Sequence, residues 1–457
     1  MNLNPLLNAI EHQVLSRSLT PIERFVFTQS WDGRTYNDIA RVSGYDSVYV
    51  KQIGSQLWQD LSDGLSTKVT KKNLHIVFGS FDSDSTSSFS VVTTSLEVDR
   101  LVVPVEMPSG PLPADSPLYV ERPPIETLVY EEIEKPGCAI CIQAPHKTGK
   151  NSLLNQLFAR VRPLDYHTVS IDFQEADTSI LSSLDRLLRW FCANVSHQLS
   201  LPNRLSDYWD EDMGSKVSCK LYFEGYLLSQ LDKPVVLAFN EVHRLFDRPD
   251  IARDFLSMLR VWHEQARFVE LWQTLRLVLL YGTEQSVRLK IERSPLPIGL
   301  SVRLPPFDRA QVRELARRYG LPWAEGDAEA PELDRITTTI GGHPYLANLT
   351  LYHLSQGNIS LETLLQTAPT QTGIYRNYLR DRLAALHDDP MLMVALQKVV
   401  TADNGVELEA LTAYKLESLG VIRLDGNRAF PTCQLDRLYF REQLANLDTN
   451  ASVMSRF

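Results

Sequence analysis

Between residues 138 and 307 the chain alternates short unbroken apolar runs with longer stretches that are apolar only at every third or fourth position. The runs are CAICIQA (138–144), HTVSIDF (167–173), PVVLAFN (234–240), RLVLLYG (276–282) and SVRLPPF (301–307). Runs of this length with little polar alternation suit strands buried on both faces, and helical spacing between them predicts a parallel sheet covered by helices. The expected fold class is therefore α/β over residues 118–365, including a helical lid.

The flanks follow other patterns. Residues 1–78 read as an all-α unit. In SLTPIERFVFTQSW, Thr20 is placed to cap a helix, with Pro21 at its first position and Glu23 three residues after the cap. Thr35 starts a short helix with Ile39, Ala40 and Val42 inward. Gly44 permits a turn, and a longer helix carries Val48, Ile53, Leu57 and Leu61 at helical spacing. Together these predict a helix-turn-helix. Residues 79–117, with five prolines between Pro104 and Pro117, predict a mostly extended linker. Residues 366–457 return to helices and include LESLGVIRLDGNRAFP. There Asp425-Gly426 signals a hairpin, and helices followed by a hairpin suggest a winged helix.

Composition narrows the picture a little. The 457 residues are 44% hydrophobic and 22% charged, as in ordinary globular chains. No run approaches the roughly 20 apolar residues of a membrane helix. The opening MNLNPLLNAIEHQ lacks the pattern of a secretion signal, and five scattered cysteines do not form a disulfide framework, so a reducing cytoplasm is expected. Cys138 and Cys141 form a C-x-x-C, but no second pair or His cluster is near, and they read as buried strand residues. The net charge of −10 does not favour nonspecific nucleic-acid binding by the whole molecule.

The chemistry centres on QAPHKTGKNSLL (143–154), between an apolar strand and a helix. It matches the phosphate-binding pattern G-x-x-x-x-G-K-[ST] except that Ala144 replaces the first Gly and Asn151 the hydroxyl residue that meets Mg²⁺. Strand-loop-helix geometry lets backbone N–H groups and the helix N-terminus hold phosphates. The candidate nucleotide-binding residues are Ala144, Pro145, His146, Lys147, Thr148, Gly149, Lys150, Asn151 and Ser152. Lys150 would reach the β and γ phosphates, and Ser152 is turned about a quarter turn from the metal position. The run VVLAFN ends in Asn240-Glu241, where such proteins place a metal-holding acid and then a residue that polarises water. Glu241 is thus the possible water-polarising base. Asn151 and Asn240 hold the two Mg²⁺ positions as amides, which should harm hydrolysis more than binding. Thr283, just past the run RLVLLYG, is placed to sense a γ-phosphate. Gly341, Gly342, His343 and Pro344 make a rigid turn before an apolar helix.

Several blocks resemble the AAA-like P-loop domain widespread in cyanobacterial signalling proteins: SPLYVERPPIETLVYEEIEKPGCAICIQAPHKTGKNSLLNQL, ERSPLPIGLSVRLPPF, GGHPYLANL and LESLGVIRLDGNRAFPTCQLDRLYF. TYNDIARVSGYDSVYVKQIGSQLWQDLSDGLSTKVTKKN resembles the helix-turn-helix heading proteins of the von Willebrand A–MoxR ternary system. The first resemblance implies a P-loop NTPase parallel-sheet core and a STAND-type switch that binds ATP or ADP. It also implies that Gly342-His343-Pro344, with Pro344 near the nucleotide, couples occupancy to a winged helix. No effector or repeat domain follows in this sequence, which fits a regulator acting on another protein, with self-association possible. Against the family pattern, Asn151 and Asn240 both point to retained binding and weak or absent hydrolysis, with an active ATPase as the alternative.

The helix-turn-helix leaves two readings open. Residues 11–75 hold eight Lys or Arg and seven Asp or Glu, about +1 net. Tyr49, Lys51, Gln52 and Ser55 on the second helix, with Ser47 before them and Lys68, Lys71 and Lys72 beyond, could reach DNA. A protein-binding or packing module is the other reading.

Overall fold

A computed structural model describes residues 7, 10–15, 17, 19–31, 33–43, 47–65, 69–71, 74–78, 107–283, 296–325, 330–387 and 389–454. The chain divides into two compact units, Met1–Asp99 and Arg100–Phe457.

The first unit is helical: α1 (Pro21–Trp31), α2 (Tyr36–Ser43), α3 (Ser47–Leu65) and α4 (Leu74–Phe78). The expected Thr20–Glu23 capping box forms, and a second one forms at Thr35, where the sequence predicts a helix start. The Thr20 N–H donates to Glu23 Oε2 at 2.8 Å and the Glu23 N–H returns to Thr20 Oγ1 at 3.4 Å. Thr35 and Asp38 do the same at 3.2 and 3.3 Å. Val26, Phe27, Ile39, Leu57, Leu61 and Phe78 meet in one core. Gly54 lets α2 approach α3, because a Cβ there would stand 2.8 Å from the Tyr36 ring. The Tyr36 hydroxyl in turn accepts from Trp58 Nε1 at 2.8 Å. The expectations for Val42, Gly44 and Val48 fall on side chains outside the described ones.

The second unit opens with α5 (Ile125–Ile133) and builds a five-stranded sheet from β1 (Ala139–Ala144), β2 (His167–Asp172), β3 (Val235–Asn240), β4 (Leu275–Gly282) and β5 (Leu300–Arg303). Helices α6 (Lys150–Val161), α7 (Leu184–Gln198), α8 (Ser215–Tyr222) and α9 (Pro249–Gln265) connect them. All five expected strands are present, and every pairing is parallel in the order β2-β3-β4-β1-β5. The three inner strands are buried almost throughout, which is why they read as unbroken apolar runs. The edge strands β2 and β5 alternate instead. Helices α5 and α6 cover one face with Val129, Ile133, Leu153, Leu157 and Val161. Helices α7, α8 and α9 cover the other with Phe191, Tyr222, Phe255 and Trp262.

Beyond the sheet come α10 (Arg309–Arg318), α11 (Pro331–Ile340), α12 (Pro344–Ser355), α13 (Leu361–Thr367), α14 (Arg376–His387), α15 (Pro390–Thr401), β6 (Val406–Glu407), α16 (Ala410–Ser418), β7 (Ile422–Asp425), β8 (Arg428–Pro431) and α17 (Gln434–Met454). The small sheet is antiparallel, ordered β6-β8-β7. The hairpin falls where the Asp-Gly signal places it, but Asp425 pairs with Arg428, so residues 426 and 427 form the loop, with Gly426 at φ +57°. Residues on both sides of position 366 share one apolar core, from Phe307 to Leu444.

The stretch read as a linker splits in two. Residues 79–106 lie outside the described ones. Residues 107–117 are anchored on α6: Ser152 Oγ accepts from the Leu112 N–H at 2.9 Å, and Asn155 and Gln156 donate to the Leu112 and Ala114 carbonyls at 2.8 and 2.9 Å.

Candidate nucleotide site

All five parallel strands present their C-terminal ends to one edge of the sheet. That edge collects the β1–α6 loop, Asp172, Asn240 and Thr283, the usual place for a ligand in such a fold. Gly149 caps α6 with φ +97°, a conformation that excludes most side chains, and Lys147 is also left-handed at φ +60°. Ala144 replaces glycine without strain because it is the last residue of β1, with its side chain buried in the core beside α6.

The loop is knitted to itself. Lys150, 8% exposed, donates to the carbonyls of Ala144 (2.8 Å) and Pro145 (3.0 Å), and Thr148 Oγ1 donates to the Pro145 carbonyl at 2.6 Å. Below it lies a group that the motif does not reveal. Arg122 is 2% exposed, donates to the Thr148 carbonyl at 2.8 Å and stacks 5.7 Å from the Phe307 ring. Its guanidinium would stand 3.3 Å from a Cβ at position 149, a second reason for glycine there. Asn151 stands half-buried on the first turn of α6, while Ser152 is buried and holds Leu112.

The helices and small sheet beyond residue 366 roof the loop. Lys147 Nζ lies 3.6 Å from Asp381 and 4.8 Å from the Tyr345 ring centroid. Thr283 Oγ1 donates to the Ser418 carbonyl at 2.7 Å. Gly420 packs against Pro145 so closely that a Cβ would come within 3.3 Å of its ring. Arg382 pairs with buried Asp436 at 2.7 Å and also donates to the Gly420 carbonyl. Gly342 has φ +72°, and a Cβ there would overlap the Phe307 carbonyl oxygen at 2.0 Å. His343, in the turn expected before the apolar helix, is half-buried with both ring nitrogens out of solvent, 5.0 Å from the Tyr378 ring, at the head of α12 where Pro344 is buried. Burial, and then the nearby Arg382, push its pKa down to about 3.

At the end of β3, Asn240 is 7% exposed. Its Nδ2 donates to Asp172 Oδ2, on β2, at 2.7 Å, and its Oδ1 is buried without a hydrogen-bond partner among the described residues. Leaving such an acceptor unpaired costs about 1–3 kcal/mol, so the atom fits an incoming donor or cation. Mg²⁺ at this edge would meet Asn240 and Asn151, and its chemistry is to neutralise phosphate charge. Glu241 is left-handed at φ +55°, with Oε2 3.3 Å from His243 Nε2.

Of the other candidates, Lys51, Gln52 and Ser55 are exposed on α3. The side chains of Ser47 and Tyr49, and residues Lys68 and Lys72, lie outside the described ones, and Lys71 stacks on Tyr36 at 4.6 Å. Cys138 and Cys141 are buried thiols, each pushed up to about 12 by burial, and no metal-binding cluster occurs among the described residues. No helix among those residues is long and apolar enough to cross a membrane.

Residues 107–442 match the family model of the AAA-like domain. The chain belongs to the AAA-like domain family. Residues 1–80 match the model of the N-terminal helix-turn-helix of vWA-MoxR associated proteins. No curated protein matches the chain in sequence. Among solved structures it is similar to a Walker-type ATPase of Pyrococcus abyssi, at 16% identity and TM-score 0.49, covering 71% of this chain and 96% of that one. It is also similar to the Aeropyrum pernix ORC2 protein in ADPNP and ADP complexes, at 15% identity and TM-score 0.44, covering 71% and 93%. Domain III of the Thermotoga maritima replication initiation protein DnaA follows at 14% and 0.32, covering 54% and 91%. Likenesses this distant decide nothing about function. Family membership supports nucleotide binding at the AAA-like core.

Proposed function

We propose that this AAA-like protein is a STAND-type regulatory switch that holds ATP or ADP on residues 144–152 and hydrolyses it slowly or not at all. The reading is carried by one observation. The loop bearing Lys150 is roofed by the elements that follow it, through Lys147–Asp381, Pro145–Gly420 and Thr283–Ser418. A phosphate entering between Lys150 and Thr283 must compete with those contacts, so occupancy and the position of the roof are linked. The roof, α14 to α17 with its small sheet, is taken as a winged helix, and Pro344 as the turn residue that joins it to the nucleotide. Asn151 and Asn240 put no charge of their own on Mg²⁺, which favours binding over turnover, with Glu241 left to orient water. The output is a partner protein, with self-association as a further route.

The test is nucleotide affinity of the full chain with and without Mg²⁺, beside Lys150→Ala. Binding that falls at least tenfold in the variant supports the reading, and equal affinity in the two proteins removes it. Rapid Lys150-dependent turnover would instead support an active ATPase.

A second reading follows from Lys51, Gln52 and Ser55, exposed on one helix of a helix-turn-helix, with Tyr49 on the same helix. It makes the chain a DNA-binding regulator with the P-loop domain as scaffold.

A further inference from the structure

The charge missing from the end of β3 stands on the neighbouring strand. Side chains alternate along a strand, and the two faces of this sheet carry separate cores. Val236 and Ala238 of β3 pack with Leu153, Leu154 and Leu157 of α6, so Asn240 continues the α6 face. Val169, Ile171 and Phe173 of β2 pack on the opposite core, so Asp172 also points to the α6 face. Asp172 and Asn240 are register partners in the parallel β2–β3 pair. The two side chains therefore meet by construction of the sheet.

Their hydrogen bond has a direction. A carboxylate accepts and does not donate, so the amide group 2.7 Å from Asp172 Oδ2 must be the NH₂ of Asn240. The other carboxylate oxygen accepts from the Gln174 N–H at 2.8 Å, which fixes the carboxylate in place. The amide is thereby locked with Oδ1 facing away from Asp172, buried and without a partner among the described residues. A bare acceptor backed by a carboxylate is the arrangement by which outer-shell groups orient and strengthen a metal ligand.

We infer that Asp172 is the positioning residue of a split Mg²⁺ site, resting on the nucleotide-binding reading above. Asn240 supplies the oxygen that faces the cation or its water, and Asp172 supplies the orientation and the negative charge one hydrogen bond behind it. Asn240 on this view is not a lost ligand, and the Mg²⁺ dependence of nucleotide binding depends on a residue outside the motif.

The probe is ADP affinity of the full chain in Mg²⁺ and in EDTA, with Mn²⁺ titration of the ADP complex followed by electron paramagnetic resonance. Asp172→Asn should leave the EDTA affinity unchanged, which also reports an intact fold, while Mn²⁺ affinity falls on the order of tenfold. Asn240→Asp alone should weaken Mn²⁺ binding too, because it sets two carboxylates in contact. The double exchange Asp172→Asn with Asn240→Asp restores one amide and one carboxylate in hydrogen bond, and should recover Mn²⁺ binding. Equal Mn²⁺ affinity in wild type and Asp172→Asn overturns the inference alone, as does stronger binding by Asn240→Asp than by the exchange. Absence of any ADP binding by the wild type overturns the nucleotide reading and the split site together.

Discussion

Acid should loosen the core beneath the roof, through His343. The ring nitrogens are buried, and the pKa is pushed from 6.5 down to about 3, first by burial and then by Arg382, with His146 and Lys147 adding to the effect and the His146 backbone opposing it. A group whose pKa falls on folding stabilises the fold above its unfolded value and loses that contribution as pH drops toward the folded value. Here the window opens at about 6.5 and closes near 3. At pH 5 the unfolded chain has gained the proton while the folded one has not, over about 1.5 pH units, which amounts to about 2 kcal/mol. The perturbation is His343→Gln, which keeps a polar side chain of similar reach but does not titrate. Urea unfolding followed by tryptophan fluorescence at pH 7.5 and pH 5.0 gives the loss for each protein. The wild type should lose about 2 kcal/mol more than the variant, other carboxylates and histidines contributing equally to both. The same loss in both proteins would refute the reasoning, since it would mean that His343 is solvated or charged in the fold.

Three other substitutions test the junction and the first unit. Asp436→Asn leaves Arg382, whose side chain is 12% exposed, with carbonyl oxygens and the Tyr378 ring but no carboxylate, and should cost about 3 kcal/mol in the same urea assay, against no change for a surface carboxylate such as Asp250. Gly342→Ala meets both a left-handed backbone and the Phe307 carbonyl, and should lower the midpoint of thermal unfolding by several degrees, whereas Gly357→Ala, with open space around it, should lower it less. Lys51→Ala should weaken salt-sensitive DNA binding by the full chain in a mobility-shift assay, and its failure to do so, or the absence of a shift at low salt, removes the DNA reading.

What could be read from the chain was what local chemistry governs. The inner strands are buried on both faces, so their apolar runs are unbroken. Thr20–Glu23 and Thr35–Asp38 are three residues apart, so their caps are visible as a spacing. The loop at 144–150 is a contiguous motif. The features that escaped are contacts between distant segments. Nothing near RLVLLYG says that this strand enters between β1 and β3. Arg122 bonds to a loop 26 residues away, Asn240 to a carboxylate 68 away and Thr283 to a carbonyl 135 away. Asp172 was within reach, because strand alternation puts it on the same face as Asn240 once the two runs are paired. His343 was not, since a Gly-Gly-His-Pro turn looks the same whether it is exposed or covered by a helix that begins only at Arg376.

The stretch from 107 to 118 changes how this molecule can be dissected. Prolines spaced along it invite a cut at residue 118, the first residue after the last of them. Such a fragment would begin inside the folded body. It would strip Leu112 and Ala114 from α6, leaving Ser152, Asn155 and Gln156 with three polar groups to hydrate on the helix that carries Lys150. It would also take the Pro117 carbonyl away from Arg318, a partner 201 positions further along the chain. Weak nucleotide binding by a shortened protein would then describe the cut rather than the site, and a boundary at or before residue 107 keeps the phosphate loop on an intact foundation.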